Sequence, residues 1–122
     1  MTHERRALVI DDDAAIRVLI TRILARHGYV VDTARDGAEA IEMLAHNEYC
    51  VITLDLMMPR VDGFTVVKFL ADYHPDTLEK VIVMTAYGSS ARDEICPPVV
   101  RFVEKPFEIE ALLAHAAECS SR

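Results

Sequence analysis

Two hydrophobic periods alternate along this 122-residue chain, and that alternation limits its fold more than any other feature. Short apolar runs at Ala7 to Ile10, Tyr29 to Ala34, Val51 to Asp55, Val81 to Met84 and Val99 to Val103 have the length and β-branched content of strands. Helical stripes stand between them. Ile16, Leu19, Ile20, Ile23 and Leu24 follow the first run; Ala40, Ile41, Leu44 and Ala45 follow the second; Val66, Val67, Leu70 and Tyr73 follow the third. Ile109, Leu112, Leu113 and Ala116 form a last stripe near the end of the chain. Strands joined through helices run parallel, and right-handed crossovers place the helices on both faces of the sheet. The pattern therefore predicts an α/β, doubly wound, five-stranded parallel sheet.

Turn residues punctuate the pattern where it should break. Gly28 ends the first helix, Asp36 and Glu39 have the spacing of a capping box before the second, and Pro75 stops the third. The fourth crossover is irregular. After Tyr87-Gly88-Ser89-Ser90 only Ala91 to Ile95 can be helical before Pro97 and Pro98 forbid continuation, which predicts a short or distorted fourth helix.

Composition narrows the function classes. With 52% hydrophobic and 27% charged residues the chain suits one globular domain over residues 1–122, its core at about 7–117. The net charge of −7 and the scattered basic residues disfavour direct nucleic-acid binding. No apolar run approaches the ~20 residues of a membrane span, and Met1 to Arg6 is too polar for a signal peptide, so a soluble cytoplasmic protein without membrane contact is expected. Cys50, Cys96 and Cys119 lack disulfide-framework or zinc spacing and read as reduced, partly buried thiols. His3, His27, His46, His74 and His115 show no metal-ligand spacing and read as surface residues.

The chemistry gathers at the strand ends. In a parallel α/β sheet ligands bind outside the carboxyl edge, and there the first strand delivers Asp11, Asp12 and Asp13, the third Asp55, the fourth Thr85 and the fifth Lys105. Crowded carboxylates repel one another and so share a proton or a cation. Oxygen-only ligands suit a hard ion such as Mg²⁺, which keeps waters free for a phosphate. A carboxylate can itself be a nucleophile and form an acyl phosphate. Asp55 is the candidate nucleophile, with the Lys105 ammonium and the Thr85 hydroxyl placed to contact phosphoryl oxygens. Asp13 suits a helix cap as well as a metal contact.

Ile10-Asp11-Asp12-Asp13, Asp55-Leu56-Met57-Met58-Pro59 with Asp62-Gly63, Met84-Thr85-Ala86 and Lys105-Pro106-Phe107, in this order, resemble the receiver domain of two-component response regulators. The resemblance runs from about Ala7 to Ala117. It implies a flavodoxin-like sheet of order 2-1-3-4-5. It implies that Asp55 accepts a phosphoryl group from a sensor histidine kinase or a histidine phosphotransfer protein. Asp12, Asp55 and the Met57 carbonyl would hold Mg²⁺, or Mn²⁺ in its place, with Asp11 acting through water. Thr85 and Phe102 match the switch positions, and Met57 and Tyr87 the positions that tune self-hydrolysis. The Lys105-Pro106 bond would be cis, aiming the ammonium into the cleft.

Such a module signals to a downstream protein and turns over no outside substrate; it stands alone or is excised from a longer chain. The interval from Thr85 to Lys105 is shorter than is usual in the family, and the small Gly-Ala pair before the fifth strand is absent. Two other classes fit less well. A haloacid-dehalogenase-like phosphohydrolase wants an Asp where Met57 stands, and a docking module that is never phosphorylated has no need of Asp11, Asp12, Asp55, Thr85 and Lys105 together.

Overall fold

The computed structural model describes residues 5–56, 58, 61–86, 101–105 and 107–120, and of Thr85 and Ala86 only the backbone. Along the chain come β1 (Arg5–Ile10), α1 (Ala14–Arg26), β2 (Tyr29–Ala34), α2 (Gly37–His46), β3 (Val51–Asp55), α3 (Gly63–Tyr73), a 3₁₀ segment (Pro75–Lys80), β4 (Val81–Ala86), β5 (Arg101–Lys105) and the last helix, α4 (Ile109–Ser120). The expected fourth crossover helix, Ala91 to Ile95, lies outside the described residues.

The strands form one parallel sheet of order β2-β1-β3-β4-β5, the flavodoxin-like arrangement. Every residue of β3 is buried, as a central strand covered on both faces must be. Strand alternation divides the core into two layers. Leu8, Ile10, Ile52, Leu54, Val83 and Phe102 pack toward Leu44 of α2 and Val66 and Leu70 of α3. Ala7, Val9, Val51, Ile82, Met84 and Val103 pack toward Ile20 and Leu24 of α1 and Leu112 and Ala116 of α4.

Caps fix where the helices begin. The Asp13 carboxylate accepts the Ala15 and Ile16 N–H groups at 2.9 and 3.3 Å and opens α1. Asp36 and Asp62 open α2 and α3 in the same way, accepting from Glu39 and Thr65 at 2.9 and 3.0 Å. Gly28 leaves α1 at φ +90°, the left-handed conformation in which a side chain is strained.

Four expectations needed adjustment. Glu39 accepts the N–H of Arg35 at 3.3 Å, one residue before the cap, so only half of the capping box forms. Leu19, Tyr73 and Ile109, placed on buried stripes by their spacing, are 47%, 70% and 46% exposed, and Ala45 is exposed as well. They sit at the margins of their stripes, and the Tyr73 ring packs at a tilt of 40° against Phe69, the centroids 5.3 Å apart. Strand β5 continues past Val103, so that Glu104 and Lys105 pair with Thr85 and Ala86 of β4. His115 is half-buried with a buried ring nitrogen, while His27, His46 and His74 are exposed.

Gly63 sets the geometry of the loop leaving β3. Its N–H donates to the Leu56 carbonyl at 3.0 Å, and a Cβ there would come within 2.6 Å of Leu56 Cα and 2.7 Å of the Asp55 carbonyl oxygen. Gly63→Ala would gain up to about 1 kcal/mol in helix propensity, but the backbone clash outweighs this. A net loss of about 1–3 kcal/mol is expected, read as a lower urea midpoint at unchanged slope.

Candidate functional site

Parallel registration brings three strand ends together at one edge of the sheet. Ile10 pairs with Leu54, so the residues that follow them, Asp11 and Asp55, stand side by side. Asp11, Asp12 and Asp55 offer carboxylate oxygens that all lie within 4.8 Å of one another. Asp11 is 1% exposed and Asp55 6%, whereas Asp12 is open to solvent. Each pair of full charges at that separation repels by about 3 kcal/mol at an effective dielectric constant of ~20.

Lys105 offsets part of that repulsion. Its Nζ lies 3.1 Å from Asp11 Oδ2 and 3.5 Å from Asp55 Oδ1. The extra length of β5 carries the lysine past the last core residue, Val103, to the level of the carboxylates. Asp11 is held twice more by its own turn: Oδ1 accepts the Asp13 N–H at 2.9 Å, and its carbonyl accepts Arg17 Nη1 at 2.8 Å. Arg17 is a contributor that motif reasoning passed over. The available signal was an arginine one helical turn after the acidic triplet.

The other expected site positions fall as follows. Asp13 caps α1 and is not in the carboxylate cluster. The Thr85 backbone lies one residue before the end of β4, opposite Glu104, and Phe102 is buried in β5 opposite Val83. Met57, Tyr87, the Thr85 side chain and the Lys105-Pro106 bond lie outside the described residues. The donor set, three carboxylates with no sulfur or imidazole among the described residues, has the chemistry of a hard divalent cation site.

An open, doubly wound sheet places its ligand site at the carboxyl edge of the strands, and here, among the described residues, that edge gathers three carboxylates and the Lys105 ammonium. The chain belongs to the response regulator receiver domain family, whose family model matches residues 7–117. It is 38% identical to the response regulator MprA of Mycobacterium sp. (strain KMS), a match covering 89% of this chain and 47% of that protein. It thus spans about half the length of the curated relatives it matches. The receiver domain of the Francisella response regulator 1452 superposes with a TM-score of 0.85 at 29% identity, over 98% of each chain. That of NtrX from Brucella abortus gives 0.84 at 28%, over 94% of this chain and 98% of the other. Among the described residues no helix is long and apolar enough to cross a membrane.

Among the described residues, three carboxylates face the Lys105 ammonium and the Arg17 guanidinium bonded to the Asp11 carbonyl, so negative charge remains in excess. Asp55→Asn removes one charge at nearly constant shape, while Lys105 keeps Asp11 as a partner at 3.1 Å. In chelator at neutral pH the variant is expected to be more stable than the parent by about 1 kcal/mol, seen as a higher thermal midpoint. A lower midpoint would mean that the Lys105–Asp55 contact outweighs the crowding.

Proposed function

We propose that this chain accepts a phosphoryl group on Asp55 from a phosphohistidine of a sensor histidine kinase or a histidine phosphotransfer protein. The observation that carries the reading is the placement of Asp55: at the end of a buried strand, beside Asp11 and Asp12, with the Lys105 ammonium 3.5 Å away. A carboxylate oxygen of Asp55 attacks the phosphorus, and its bond forms as the phosphorus–nitrogen bond of the donor breaks. The leaving imidazole carries off the electron pair and takes up a proton from solvent. Lys105, already within reach of that carboxylate, then pairs with a phosphoryl oxygen.

Asp12, Asp55 and the main-chain carbonyl of Met57, with Asp11 acting through water, are the ligands proposed for Mg²⁺, or for Mn²⁺ in its place. When bound, the ion neutralises charge on the phosphoryl oxygens. Thr85 and Phe102 are proposed as the switch pair that reports the phosphoryl group to a downstream protein. Residues 1–122 act as one receiver unit in the cytoplasm, turning over no outside substrate. The net charge of −7 favours a protein over a nucleic acid as the output partner.

Intact mass after incubation with acetyl phosphate tests the reading. One added phosphoryl group is expected, dependent on both Mg²⁺ and Asp55, and none on Asp55→Asn. Folded protein that gains no mass under any condition would sink the proposal.

Met57 and Tyr87 occupy the positions proposed to tune hydrolysis, and neither carries an acid or amide to orient an attacking water. The phosphoryl group is therefore expected to outlast that of receivers with acid or amide residues there. Its decay, followed by mass after donor removal, is expected to slow no further in Met57→Ala and to quicken in Met57→Asn. Decay of the parent as fast as in such receivers would contradict the assignment.

A further inference from the structure

We infer that Arg17 is a positioning residue for the cation site, holding Asp12 in place through the backbone of its neighbour Asp11. The inference rests on the proposed reading of Asp11, Asp12 and Asp55 as that site.

The three carboxylates are held very differently. Asp11 is buried and bound by Lys105 and by the Asp13 N–H, and Asp55 is buried and also paired with Lys105. Asp12 is exposed, and among the described residues its carboxylate has no hydrogen bond or ion pair. Side-chain contacts therefore do not place it. Its position relative to the other two follows from the peptide plane between Asp11 and Asp12 and from the turn that leads into α1.

Arg17 clasps that turn at two points. Its backbone N–H donates to the Asp13 carbonyl at 2.9 Å, closing the first helical turn. Its guanidinium reaches back to the residue that follows β1, where Nη1 donates to the Asp11 carbonyl at 2.8 Å. That carbonyl belongs to the peptide from which Asp12 hangs, so fixing it fixes the plane that carries the Asp12 N and Cα, and the Asp13 N–H bond to Asp11 Oδ1 restricts the remaining rotation that aims the Asp12 Cβ. Arg17 is half-buried and, among the described residues, its guanidinium forms no ion pair with any of the three carboxylates. Its directional donor is committed to a neutral main-chain acceptor, a use for which a planar fork is better suited than a flexible ammonium.

This role is separable from a charge effect because the two have opposite signs. Loss of a nearby positive charge by itself tightens binding of a divalent cation. Loss of an outer contact that orients a ligand weakens it, commonly by 10-fold or more.

The test is calorimetric titration of Mg²⁺ alone into the parent, Arg17→Met, Arg17→Lys and Asp12→Asn, with thermal midpoints in chelator measured beside it. Arg17→Met is expected to bind Mg²⁺ about tenfold more weakly than the parent. Arg17→Lys, which restores a donor without the fork, should fall between the two. Unchanged or tighter binding in Arg17→Met would overturn the inference, as would a lowered midpoint with unchanged affinity, which marks a purely structural clasp. A parent that binds no Mg²⁺, or an Asp12→Asn variant that binds as well as the parent, would instead overturn the reading of the site, and the role of Arg17 with it.

Discussion

One ammonium ties together the ends of three strands. Lys105, on the edge strand β5, reaches Asp11 at the end of β1 and Asp55 at the end of β3, crossing over the end of β4 to do so. Without a cation the carboxyl edge would hold like charges, two of them nearly dry, and the strands bearing them would be pushed apart. The lysine is itself 23% exposed in its side chain, so its charge keeps some hydration while theirs is compensated. A group in that position can exchange one anionic partner for another, and that exchange is what the proposed acceptance of a phosphoryl group would demand of it.

The backbone around the edge is shaped to hold this arrangement. The loop after β3 doubles back so closely at Gly63 that no side chain fits, and its Val61 carbonyl receives the Gly37 N–H at the start of α2, 3.0 Å away. The loop is thereby tied to a helix on the α2–α3 face. On the opposite face, the Asp13 cap and the Arg17 clasp bind the end of β1 to α1. The chemistry thus sits on short connections anchored to rigid elements rather than on free loops.

The far edge of the sheet is built for closure. The Arg101 guanidinium donates to the Glu79 carbonyl, Lys80 to that of Cys119, and the Tyr29 hydroxyl meets Ser120 Oγ at 2.6 Å, so the 3₁₀ segment, β5 and the end of α4 are stitched together. Burial pushes the Cys119 thiol above its ordinary pKa, keeping it protonated and unreactive. The Tyr49 hydroxyl, buried and donating to Asp32 at 2.8 Å, is likewise held protonated. A shallow groove of about 900 Å³ lies at this edge between Arg6, Tyr49 and Lys80, far from the carboxylate cluster.

The order of strands and helices, the parallel sheet and the gathering of Asp11, Asp12, Asp55 and Lys105 at one edge were legible in the chain, because hydrophobic period and strand-end position are local properties. Choosing between capping and metal contact for Asp13 needed the structure, since both uses begin from the same residue beside a helix. So did the exposure of Leu19 and Tyr73: a stripe shows which side of a helix is apolar, not how far the sheet beneath it extends. The reach of Lys105 to two carboxylates depends on how far β5 runs before it ends, which its pairing with β4 decides. The Arg17 contact with the Asp11 carbonyl was not legible beyond the presence of an arginine one turn after the acidic triplet, because a main-chain acceptor has no side-chain identity to recognise.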